Sequence, residues 1–136
     1  MSEYLFVYGT LLGRFGHPRH RLLEEQAEYL GRARMSGRLY DLGEYPGLVI
    51  PPKTENRVWG ELYRLRAPRV TLALLDLYEA CPPSNTRYGE YRRRRTIARL
   101  MPGGSLRTWV YVFQGPVRGR TLIRSGDYLR YLEWAT

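Results

Sequence analysis

Tyr4-Leu5-Phe6-Val7-Tyr8-Gly9-Thr10-Leu11-Leu12 sets the frame of the chain. Residues 4–8 are aromatic, branched and apolar enough to form a buried first strand, and Gly9 ends it. The residues after Gly9 read as a turn. It has two readings: a plain strand ending, or a turn whose consecutive N–H groups face outward and hold an anion. The second is physically open because glycine permits close approach and positive φ, while amides donate without a side-chain charge.

Working outward, Leu22, Leu23, Gln26, Ala27 and Leu30 come after Pro18 at helical spacing, and Gly31 stands where a helix C-terminal cap is expected. Residues 33–42, 48–50, 58–65, 90–100 and 106–113 read as strands separated by Gly and Pro. Pro68 opens a second helix with Val70, Leu74, Leu75 and Tyr78 along one face. It ends near Cys81, because Pro82 and Pro83 cannot continue it. A third helix begins at the N-cap Ser125 and packs through Tyr128, Leu129 and Leu132. Six strands with two or three helices in 136 residues predict a single α+β domain over residues 1–136. Its sheet is expected to be six-stranded, largely antiparallel and barrel-like.

No apolar run approaches the roughly 18 to 20 residues that cross a bilayer, and the first residues have neither a basic leader nor a cleavable apolar segment. The expectation is a soluble cytoplasmic protein with no membrane partner. Cys81 is the only cysteine, so an internal disulfide framework is ruled out. With only His17 and His20 beside it, no metal site is expected, and both histidines read as surface residues.

Lys plus Arg outnumber Asp plus Glu by 22 to 13, giving a net charge of +9, and Lys53 is the sole lysine. Guanidinium forks suit phosphate or carboxylate partners, but genomic base composition or a thermophile's surface accounts for the excess more simply. The densest run is Arg92, Arg93, Arg94 and Arg95, which an alternating strand would send to both faces. No nucleic-acid motif or ordered aromatic stacking signature accompanies the charge, so nucleic acid is disfavoured as a partner.

Leu75-Asp76-Leu77-Tyr78-Glu79 closes the second helix. A glutamate in the last turn faces the negative end of the helix dipole, so burial would push its pKa upward; a solvated surface glutamate is the plainer reading. Tyr88-Gly89-Glu90-Tyr91-Arg92, Arg38-Leu39-Tyr40-Asp41 and Tyr45-Pro46-Gly47-Leu48 supply part of a set of 12 tyrosines. Core and rim packing accounts for most of them. Tyrosine also places a hydroxyl on an apolar body, which suits a polar pocket.

These blocks, with Gly37 before Arg38, Val58-Trp59-Gly60-Glu61-Leu62-Tyr63 and Ser125-Gly126-Asp127-Tyr128, occur in an order that resembles the γ-glutamylcyclotransferase superfamily. The likeness is to its short branch, related to AIG2-like and γ-glutamylamine cyclotransferase proteins, and it covers nearly the whole chain. The resemblance implies a six-stranded barrel-like fold with a pocket at the glycine turn. By motif match, Glu79 is the proton-transfer residue. The backbone amides of Tyr8, Gly9, Thr10 and Leu11 bind the glutamyl carboxylate or the oxyanion, and Tyr40, Tyr88, Tyr91 and Arg92 are further substrate-binding candidates. Ala80 stands where the family usually has Gly.

The implied reaction cyclises a γ-glutamyl amine or γ-glutamyl amino acid to 5-oxoproline without a cofactor. No serine among Ser36, Ser84, Ser105 and Ser125 sits in a nucleophile-elbow pattern, and Cys81 beside a carboxylate reads as inert packing. A non-catalytic small-molecule-binding or interaction module on the same fold is the alternative. Oligomeric state and the identity of the leaving amine leave no signature in the sequence.

Overall fold

The computed structural model describes residues 2–9, 18–43, 45–78, 91–101 and 103–135. Along these the order is β1 (Glu3–Val7), α1 (Pro18–Gln26), β2 (Ala27–Ser36), β3 (Arg38–Asp41), β4 (Pro46–Val49) and β5 (Arg57–Leu65). Then come α2 (Pro68–Tyr78), β6 (Tyr91–Leu100), β7 (Ser105–Phe113), β8 (Thr121–Leu122) and α3 (Tyr128–Ala135). The fold is α+β, and the barrel closes with five strands rather than six, in the order β1-β5-β2-β6-β7. Its pairs are antiparallel apart from β1 with β7, which run parallel. The remaining strands form a separate sheet, β4-β3-β8.

Two readings of the sequence change here for one reason, the demand of strand pairing. The helical pattern through Leu30 stops at Gln26, and residues 27–30 join β2, because Ala27 pairs with Leu65 and Tyr29 with Tyr63. Local periodicity yields to ladder hydrogen bonds made by residues far away in sequence. Gly31 is therefore no helix cap. It sits at φ 138° where the register shifts between Tyr29 and Gly31, a bulge that needs a residue without a Cβ. The stretch 33–42 likewise divides at Gly37 into a barrel strand and a strand of the second sheet.

Strand alternation builds two apolar layers. Phe6, Ala33, Met35, Val58, Leu62, Ala98, Val110 and Val112 form one cluster with Leu39, Leu48, Ile123 and Tyr128 of the second sheet and α3. The opposite faces of β1, β5, β6 and β7 carry Leu5, Val7, Tyr63, Leu65, Tyr91 and Tyr111 against Leu23 of α1 and Leu72 and Leu75 of α2. The buried stripe of α2 is Thr71, Leu72 and Leu75; Val70 and Leu74, expected on it, are exposed. The third helix starts three residues later than Ser125. Asp127 is its cap, its Oδ1 accepting from Arg130 N at 3.2 Å, while Ser125 Oγ accepts from Asp127 N. Among the described residues no helix is long and apolar enough to cross a membrane.

Candidate functional site

Gly9 comes two residues after the end of β1 at Val7, and its φ lies outside the left-handed region, so a positive φ is not what calls for glycine there. Space favours it. A Cβ on Gly9 would stand 3.0 Å from Cγ and 3.2 Å from Cδ of Pro46, the first residue of β4.

Two tyrosines hold that stretch of β4 in place. The Tyr91 hydroxyl donates to the Pro46 carbonyl at 2.8 Å. Leu48 N donates to the Tyr8 hydroxyl at 3.3 Å, and the same hydroxyl donates to the Tyr111 carbonyl at 2.5 Å. Both side chains are buried, so each hydroxyl gains from a fixed acceptor in a site where an unpaired one would be costly. Tyr91 also meets the edge of Phe113 with ring centres 5.7 Å apart and Tyr45 at 6.2 Å. The side chain of Tyr8 is thus a buried strut between β4 and β7.

Gly47 closes the packing: a Cβ there would lie 2.7 Å from Leu42 Cδ1 and 3.0 Å from Phe113. Tyr40 stands directly across from Gly47 in the β3–β4 register and so shares the face that meets Phe113. Tyr8, Gly9, Tyr40 and Tyr91 are thereby gathered around Pro46 and Gly47. Arg92 comes next after Tyr91, stands across from Val112 on the other face of β6 and is exposed. Thr10, Leu11, Glu79 and Tyr88 lie outside the described residues, as do Ala80 and Cys81.

The approach to Glu79 is described up to Tyr78, and it contains a network that motif spacing does not disclose. Asp76 on α2 accepts from Arg93 Nε at 2.9 Å and Nη2 at 3.1 Å, and its Oδ1 accepts from the Tyr111 hydroxyl at 2.7 Å. Arg93 and Arg95 both lie 4.4 Å over the Trp109 ring, and Arg95 pairs with Glu3 at 2.7 Å. The arginine run splits by strand parity: these two are fixed on the Trp109 face, while Arg92 and Arg94 are exposed on the other. Asp76 is in plain view within its motif, but its partners are 17 and 35 residues away, and no local signal reveals them.

Beside β5 lie two clefts, of 390 and 510 Å³, that share Tyr29 and Glu61, the residue paired with Val7 at the end of β1. Here Arg32 stacks 4.4 Å over Trp59 and pairs with Asp127 at 2.8 Å. The Tyr63 hydroxyl donates to Glu61 at 3.1 Å, and burial, reinforced by the Glu61 charge, pushes the Tyr63 phenol well above its ordinary pKa. Among the described residues no three His, Cys, Asp or Glu side chains converge as metal ligands.

Comparisons with known proteins fit this arrangement. Residues 5–130 match the family model described as gamma-glutamyl cyclotransferase, AIG2-like. The Escherichia coli K12 gamma-glutamylcyclotransferase family protein YtfP is 40% identical over 126 residues, 92% of this chain and 95% of that protein. The solution structure of Escherichia coli ytfP matches at a TM-score of 0.63 with 35% identity, covering 94% of this chain and 97% of that one. A mouse AIG2-like protein matches at 0.64 with 28% identity over 85% of this chain and 80% of its own. By the ordered match and the shared fold, this chain belongs to the gamma-glutamyl cyclotransferase, AIG2-like family.

Proposed function

We propose that this protein, acting as one domain over residues 1–136 in the cytoplasm, cyclises a γ-glutamyl amine or γ-glutamyl amino acid to 5-oxoproline and releases the free amine. The observation that carries the reading is the family match over residues 5–130, a stretch that contains both the Tyr8-Gly9-Thr10-Leu11 turn and Glu79. The substrate's α-amine attacks its own γ-carbonyl; a C–N bond forms to close the five-membered ring, and the original amide C–N bond breaks.

Because nucleophile and electrophile share one molecule, the enzyme has three tasks: folding the glutamyl group, stabilising the oxyanion and moving a proton. The backbone amides of residues 8–11 serve the first two. Glu79 takes the proton from the ammonium group and returns it to the leaving amine. At ordinary pKa values of about 4.3 and about 8 that first transfer is uphill by roughly 5 kcal/mol, so a glutamate whose charged form is disfavoured by burial works better. No cofactor takes part.

The test is 5-oxoproline release from a panel of γ-glutamyl amines and γ-glutamyl dipeptides without added metal. Glu79→Gln should lower turnover by roughly 100-fold or more while ligand binding survives. A folded protein that binds members of the panel and turns over none is a binding module, and near-normal turnover in Glu79→Gln moves the proton transfer elsewhere.

A further inference from the structure

Tyr111 links α2 to the Tyr8 side chain through two different atoms. Its hydroxyl donates to Asp76 Oδ1 on α2 at 2.7 Å, and its carbonyl accepts from the Tyr8 hydroxyl at 2.5 Å. Asp76 is three residues before Glu79 in the sequence, and α2 runs on from it to Tyr78. Tyr8 immediately precedes Gly9, and its hydroxyl goes on to accept from Leu48 of β4. One residue of β7 thus ties the end of α2 to the strand that leads into the glycine turn. The tie is stiff for physical reasons: Tyr111 is 3% exposed, and Arg93 holds both oxygens of Asp76 in a planar fork while stacked 4.4 Å over Trp109.

We propose that Tyr111 and Asp76 are positioning residues that set the distance between the end of α2, which leads into Glu79, and the Gly9 turn. The inference rests on the reading of Glu79 and the turn given under the proposed function. A group that transfers a proton must sit within hydrogen-bond reach of the bound substrate, and displacement by about 1 Å costs on the order of 100-fold in rate. Binding depends on the turn itself and is spared. Tyr111→Phe keeps the ring and the carbonyl and removes the bond to α2; Asp76→Asn keeps the shape and removes the charge that Arg93 grips.

Steady-state kinetics and amide hydrogen exchange on the full chain read the two consequences. Tyr111→Phe and Asp76→Asn should each lower kcat at least tenfold with KM within about twofold of wild type, and the double variant should be no slower than the worse single one. In Tyr111→Phe, exchange should rise in peptides covering residues 76–81 and stay as in wild type across the β2–β5 pair. Unchanged kcat in both variants, or a KM that rises in step with the fall in kcat, overturns the proposal. Should the wild-type protein release no 5-oxoproline, the catalytic reading fails. Exchange at 76–81 that matches wild type in Tyr111→Phe overturns the tie itself, with or without activity.

Discussion

The tyrosines divide into two sets by what their hydroxyls meet. Beside Gly9, Tyr8 and Tyr91 donate to the main-chain carbonyls of Tyr111 and Pro46. On the flank of β5 and α3, Tyr63 and Tyr131 donate to the carboxylates of Glu61 and Asp41. A carbonyl acceptor belongs to the backbone, so the first set fixes where strands lie. A carboxylate acceptor sits on its own side chain and ties the chain firmly only where that side chain is itself held, as Arg93 holds Asp76 for Tyr111; its charge makes the second set resist ionisation more, for the bond to Asp41 and burial push Tyr131 up, as burial and Glu61 push Tyr63 up. The same residue type is a strut in one place and a charge-sensitive contact in the other, and the proposed site is built on the struts.

The sharpest way to break this contrast is Gly9→Val. Its Cβ would press on the Pro46 ring at 3.0 Å, against a β4 that Tyr8 and Tyr91 keep from retreating. Overpacking there should cost about 1–3 kcal/mol in thermal unfolding and weaken γ-glutamyl ligand binding at least tenfold by titration. Binding and melting like wild type would mean that β4 yields and the struts are not rigid.

Next in size is Tyr8→Phe, which leaves Leu48 N without this acceptor and the Tyr111 carbonyl without this donor in a buried place. A loss of about 1–3 kcal/mol at pH 7 by denaturant unfolding is expected. Tyr63→Phe should cost less at pH 7, within about 1 kcal/mol, since its bond to Glu61 is to a part-buried side chain rather than to buried main chain. Its signature is at high pH. A phenol with a raised folded pKa contributes stability that is present below about pH 10 and lost as pH rises above it. Stability of the wild type should therefore fall more steeply above pH 10 than that of Tyr63→Phe, and parallel curves would erase the distinction between the two sets.

Much of the fold is written in short-range pattern. The strands ending at Val7, Leu65, Leu100 and Phe113 and the helix opened by Pro68 arise from alternation, helical spacing and proline, all of which act within a few residues. The split of the arginine run onto two faces comes from the strand period alone. The family order of motifs points to Tyr8, Gly9, Tyr40 and Tyr91 together. What tertiary structure decided is every choice between near-equal local options: residues 27–30 as strand because β5 offers them partners, Gly31 as a bulge, and the chain dividing at Gly37 between two sheets. It also decided that what favours glycine at position 9 is the nearness of the Pro46 ring rather than its own φ. The Asp76–Arg93–Tyr111 network belongs to the same class, for Arg93 and Tyr111 become neighbours when β6 pairs with β7, and Asp76 joins them only when α2 packs against those strands. Pattern encodes what a residue does to its own backbone, whereas contacts across 17 or 35 residues depend on the path of all the chain between them.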